Sequence, residues 1–108
     1  MVLLEFTISP FDKGESLSEY VARILDIVDK SCVEYRLTPM GTILEGEYDE
    51  VMNVVKDCFN ELQKDCKRIS LSLKIDYRQG NNSRMKSKID KIETILNRKL
   101  KRMWFLQN

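Results

Sequence analysis

The chain has no histidine. That removes imidazole general bases, Ser-His-Asp and Cys-His catalysis, and the ligand most transition-metal sites use. Cysteine is sparse: Cys32, Cys58 and Cys66 form no Cys-x-x-Cys pair and leave an odd thiol. They read as reduced thiols rather than a disulfide framework. Long apolar runs are missing too. The longest, Met1-Val2-Leu3-Leu4, falls far short of the ~20 residues of a membrane span. Charge and polar residues follow it too soon for a signal peptide, so the expected compartment is the cytoplasm. Nucleophilic chemistry is thereby disfavoured. Binding becomes the leading class, with no catalytic residue and no metal expected.

What remains is 108 residues, 43% hydrophobic and 32% charged, an ordinary balance for one domain spanning residues 1–108. The net charge of +1 hides an asymmetry. Residues 1–79 hold ten Lys or Arg against fifteen acids, whereas residues 80–108 hold eight against two. An acidic body with a basic tail suits nucleic acid, or pairing between copies of the chain.

Residues 2–9 alternate with period two from Leu4 and stop at Pro10, predicting a strand with Leu4, Phe6 and Ile8 on one face. Ser16-Leu17-Ser18-Glu19 reads as a capping box before an amphipathic helix over 17–31. Residues 34–38 form a second strand, Pro39-Met40-Gly41 a turn, and Thr42 to Glu47 a third strand. A second helix over 48–65 carries Val51, Val54, Val55, Cys58 and Leu62 on one stripe. Arg68 to Arg78 alternates most cleanly, with Leu71, Leu73 and Ile75 opposed to Ser70, Ser72, Lys74 and Asp76. A third helix runs from Arg84 to about residue 104, with Met85, Ile89, Ile92, Leu96, Leu100 and Met103 as its stripe.

The order β-α-β-β-α-β predicts an α+β, ferredoxin-like plait, a four-stranded antiparallel sheet under two helices, plus a C-terminal helix. Strands 1 and 3 belong in the centre. The helices cover one sheet face. The other carries Glu5, Thr7 and Ser9 beside Ile43, Glu45 and Glu47, with Arg36, Thr38, Lys74, Asp76 and Arg78 towards the edges. A solvated face is one reading. The other is a ligand face: Glu5 and Glu45 on adjacent central strands repel unless something positive lies close, and an organic cation or a partner subunit supplies it. Glu45-Gly46-Glu47 as a hard-metal site ranks lower, because two carboxylates seldom suffice. The basic helix, from Arg84 to Arg102, offers phosphate contacts, but its regular apolar stripe favours packing, and no aromatic pair on the strands supports RNA binding. Trp104-Phe105-Leu106 reads as a packing anchor.

Several segments in register then carry a resemblance. Glu5 to Pro10 with Gly14, Ser16 to Val21, Tyr35-Arg36-Leu37-Thr38-Pro39-Met40-Gly41-Thr42, Glu45-Gly46-Glu47, and Lys74 to Arg78 with Met85 and Lys88 together resemble the small thiamine-binding proteins of the YkoF-like superfamily. The likeness spans about residues 3–97. It implies a ferredoxin-like fold that associates through open sheet faces into homodimers or homotetramers. It also implies a non-catalytic protein, without cofactor, that binds thiamine or its hydroxymethylpyrimidine moiety. Carried over position by position, the ligand-binding set is Glu5, Thr7, Thr38, Gly41, Thr42, Glu45 and Arg78. Glu5 or Glu45 would balance the thiazolium charge or bond the aminopyrimidine. The threonines would supply neutral hydrogen bonds, and Arg78 would pair with a carboxylate or phosphate. The chain departs from the family pattern at Pro10-Phe11-Asp12-Lys13-Gly14 and at Tyr77. An oligomeric interaction module without ligand, or a nucleic-acid binder acting through the basic helix, are the alternatives.

Overall fold

Period-two alternation becomes strands, and 3.6-residue stripes become helices, in the computed structural model, which describes residues 1–14, 17–80 and 83–101. The elements follow the expected order: β1 (Val2–Pro10), α1 (Ser18–Lys30), β2 (Glu34–Thr38), β3 (Gly41–Gly46), α2 (Tyr48–Gln63), β4 (Ile69–Tyr77) and α3 (Arg84–Leu96). The four strands form one antiparallel sheet in the order β2-β3-β1-β4, so β1 and β3 are central as predicted. This is the ferredoxin-like plait with an added helix.

One face of the sheet and the facing stripes of α1 and α2 make the core. Val2, Leu4, Phe6 and Leu44 meet Ile24 and Val28 of α1 and Val51, Val54, Val55, Cys58 and Leu62 of α2. Each such side chain, fully buried, stabilises the fold by ~1.5–3 kcal/mol relative to exposure. Arg23 fastens the two helices together, donating to the Glu61 carbonyl at 2.8 Å and to both Asp65 oxygens at 3.1 Å.

Boundaries shift where local chemistry intervenes. Glu47 leaves the third strand to become the N-cap of α2, its N–H donating to Glu50 Oε1 at 3.2 Å. The Ser16 half of the anticipated capping box lies outside the described residues, and Leu17 holds the N-cap position of α1. The largest correction concerns α3. It ends at Leu96 rather than near residue 104, because Asn97 adopts a left-handed conformation (φ 55°), which asparagine tolerates and which closes a helix. The Leu100 N–H then folds back onto Glu93 Oε2 at 2.6 Å. The apolar stripe of α3 packs only in part: Ile89 and Leu100 are half-buried, whereas Ile92 and Leu96, with the neighbouring Ile95 at 73%, are exposed. Met103 and the Trp104-Phe105-Leu106 anchor lie outside the described residues. No described helix is long and apolar enough to cross a membrane.

Candidate functional site

Strand register arranges the uncovered sheet face in rows. Glu5 pairs with Ile43 on one side and Lys74 on the other, and Ile43 in turn pairs with Arg36. One row along, Glu45 pairs with Leu3 and Glu34, and Leu3 with Asp76. Glu5 and Glu45 therefore sit one row apart rather than directly opposed, and Glu5 lies in a row that carries cations on both flanks. Their environments diverge. Glu5 is exposed, whereas Glu45 is only 3% exposed and accepts a hydrogen bond from Ser83 Oγ at 2.6 Å. Ser83, next to the first residue of α3, thus reaches this corner of the sheet.

A second feature lies at the opposite end of β1. Its pairing with β3 stops at Phe6–Thr42, yet its pairing with β4 runs on to Pro10–Ile69. The β2–β3 hairpin is simply shorter than β1, so the last third of β1 has lost its neighbour on that side. The gap is a cleft of about 230 Å³. Phe6, Thr7, Ile8 and Ser9 form its floor, residues 37–42 of the hairpin one wall, and Val21, Ile24 and Leu25 of α1 its roof.

The hairpin wall is rigidly built. Thr38 Oγ1 accepts from the N–H groups of Met40 (3.1 Å) and Gly41 (3.0 Å) and donates to the Gly41 carbonyl at 2.9 Å. These three bonds close the turn locally, as hydroxyl turns do. Gly41 lies against β1 so tightly that a Cβ there would stand 3.0 Å from Thr7 Cγ2 and 3.1 Å from the Phe6 carbonyl oxygen. Glycine is what lets hairpin and strand approach.

The seven residues singled out from the sequence fall into two groups. Thr7, Thr38, Gly41 and Thr42 all line the cleft. Glu5 borders it, since its Cγ would lie 3.7 Å from a Cβ on Gly41. Glu45 and Arg78 stand at the other end of the sheet. Leu3, the row-mate of Glu45, is four residues from Thr7, roughly 13 Å along a strand. Arg78 is positioned through its backbone, whose carbonyl accepts from the Met1 ammonium at 3.0 Å and whose N–H donates to the Met1 carbonyl at 3.2 Å. The Thr38 hydroxyl is engaged by its own turn, so what Thr38 offers the cleft is its methyl face.

Sequence reasoning missed Val21, Leu25, Ile8 and Ser9 as parts of a site. Only the pairing reveals them: the six-residue β3 accompanies β1 as far as Phe6, whereas the nine-residue β4 accompanies it to Pro10.

The site holds no activated nucleophile. The Cys58 thiol, in the core, is pushed up to about 12 by burial and secondarily by Asp57, which keeps it protonated. Among the described residues, no group of three or more Cys, Asp or Glu could hold a metal ion. A small, largely apolar slot with hydroxyl and peptide groups on its walls suits a flat polar heterocycle.

Residues 4–93 match the family model described as thiamine-binding protein. UPF0045 protein MJ1052 of Methanocaldococcus jannaschii is 33% identical over 91 residues, covering 84% of this chain and 91% of its own. A UPF0045 protein of Methanothermobacter thermautotrophicus is 34% identical over 96 residues, covering 86% and 97%. The crystal structure of MJ1052 superposes with a TM-score of 0.76, over 84% of this chain and 94% of that one. That of TM0486 from Thermotoga maritima, a protein named for thiamine biosynthesis or salvage, superposes with a TM-score of 0.73 at 28% identity, over 84% and 97%.

Proposed function

Because this chain belongs to the thiamine-binding protein family, we propose that it is a non-catalytic binder of thiamine, or of its hydroxymethylpyrimidine moiety, and that the ring enters the cleft between α1 and the β2–β3 hairpin. The observation that carries this reading is the cleft itself, at the point where β1 outruns β3, with Thr7, Thr38, Gly41 and Thr42 in its lining. Its volume lies below the ~300–1,000 Å³ of sites for drug-sized ligands, which suits one substituted ring better than the whole vitamin. Apolar contacts from Phe6, Val21 and Leu25 would hold the flat pyrimidine, and Thr42 and Thr7 would orient it. The thiazolium would project from the mouth towards Glu5, whose charge favours a cation. Glu45, already bonded to Ser83, instead anchors the start of α3 on the sheet.

Calorimetry with the free pyrimidine and with thiamine is the direct test. Both ligands are expected to bind. Glu5→Gln should weaken thiamine about two- to fivefold, as expected for an exposed ionic contact, and leave the neutral pyrimidine nearly unchanged. Gly41→Ala should weaken both, because the new methyl group forces hairpin and β1 apart at the cleft wall. Absence of heat with both ligands would defeat the reading.

A second element of the reading is self-association through the open sheet face into a dimer or tetramer. Leu3 and Ile43, half-buried on the two central strands, supply an apolar strip there, and the exposed Ile92, Ile95 and Leu96 of α3 leave further apolar surface to cover.

A further inference from the structure

Beyond the cleft's shape, its floor carries a recognition element that side chains do not show. In an antiparallel strand the N–H and C=O of one residue face the same neighbour, and successive residues face opposite neighbours. Two observations set this parity in β1. Met1 and Arg78 exchange bonds in both directions, and the Phe11 N–H donates to the Arg68 carbonyl at 2.8 Å, so odd-numbered residues face β4. The Phe6 carbonyl lies against Gly41, so even-numbered residues face β3. Past Phe6, the next even residue is Ile8, which lines the cleft and whose β3-facing side has no strand partner among the described residues. Pro10 comes next and has no N–H. The unpaired edge therefore presents one donor, at Ile8, beside the carbonyl of the same residue.

Resting on the pyrimidine-pocket reading above, we infer that the Ile8 peptide edge recognises a 4-aminopyrimidine as a missing strand would be recognised. The exocyclic amino group donates to the Ile8 carbonyl while the adjacent ring nitrogen accepts from the Ile8 N–H. Water can satisfy the half-buried edge in the free protein, but a ring that displaces it satisfies both polar groups only by offering a donor next to an acceptor, which makes the site selective for that edge chemistry rather than for flat rings in general. Selectivity of this kind is insensitive to side-chain identity at position 8, because the reading groups are backbone.

The test combines amide NMR of the full chain with a ligand pair, the 4-amino-5-hydroxymethylpyrimidine and its analogue lacking the amino group. The Ile8 amide proton is expected to move downfield on titration with the amino compound, while Thr7 and Ser9, whose amides face β4, move little. Leaving the Ile8 carbonyl unpaired should weaken the desamino analogue about ten- to hundredfold. If the amino compound binds but Ile8 does not respond, or if the desamino analogue binds equally well, the edge proposal is overturned and the pocket reading stands. If neither compound gives heat or shifts, both fall together.

Discussion

Cys32 follows α1 in the left-handed region, with φ of 63°, and its side chain is exposed. The Ser31 hydroxyl stabilises the bend around it, donating to the Val28 carbonyl at 2.6 Å and accepting from the Val33 N–H at 3.2 Å. A Cβ in this conformation costs roughly 1–2 kcal/mol, which glycine avoids at some loss of chain entropy. Cys32→Gly is accordingly expected to raise unfolding stability by about 0.5–1 kcal/mol, read from denaturant midpoints. An unchanged or lower midpoint would show that the thiol contributes a contact its exposure does not suggest. Glu45 illustrates the limit of residue-scale reading. Its side of the sheet was legible from alternation, but its partner Ser83 is 38 positions away, and no local pattern links the two.

The clamp between α1 and α2 belongs to the scale of elements. Arg23 of α1 faces Glu61 in the last turn of α2 and Asp65 just beyond its end. Bonding to its guanidinium is the main cause holding the Asp65 carboxyl below its ordinary value, while Glu61 is lowered first by Lys64 and then by Arg23. Asp12 is lowered independently, mainly by the Lys67 backbone N–H at 2.7 Å. A carboxyl with a depressed folded pKa contributes stability above its unfolded value, and that contribution is lost as pH falls through the folded one. Thermal midpoints should therefore drop as pH falls below about 4, the ordinary carboxylate range. Arg23→Ala should lower the midpoint at neutral pH and make the acid-side decline shallower, though not flat, because Asp12 still titrates. Parallel pH profiles for the two proteins would refute this account of the clamp. The same scale holds the clearest misreading. The apolar stripe of α3 continues in sequence to Met103, but a stripe states only which residues would share a face if the helix continued. Asn97 decides that it does not.

As a whole the molecule is elongated, 48 × 29 × 21 Å with a Cα radius of gyration of 15.4 Å, against roughly 13 Å for a compact chain of this length. The exposed Ile92 and Ile95 of α3 and the open part of the sheet face are the apolar surface that the proposed association would cover. Sedimentation velocity at micromolar concentration is expected to show a dimer or tetramer. Ile43→Lys, at the centre of the open face, should shift the population towards monomer more than Ile95→Asp on α3. A wild-type monomer, or dissociation by Ile95→Asp alone, would contradict association through the sheet face.

The sequence by itself determined the order of elements, the side of the sheet each strand residue takes, and the family. Alternation of period two and stripes of period 3.6 are properties of the chain's own geometry, so they survive without knowledge of neighbours. Tertiary structure alone decided that β1 outruns β3 and opens a cleft, that Glu45 is buried and bonded to Ser83 while Glu5 stays exposed, and that Thr38 spends its hydroxyl on a turn. The physical reason is that periodicity tells a residue which way to face but not how long a neighbouring strand accompanies it. A binding edge exists only where that company ends.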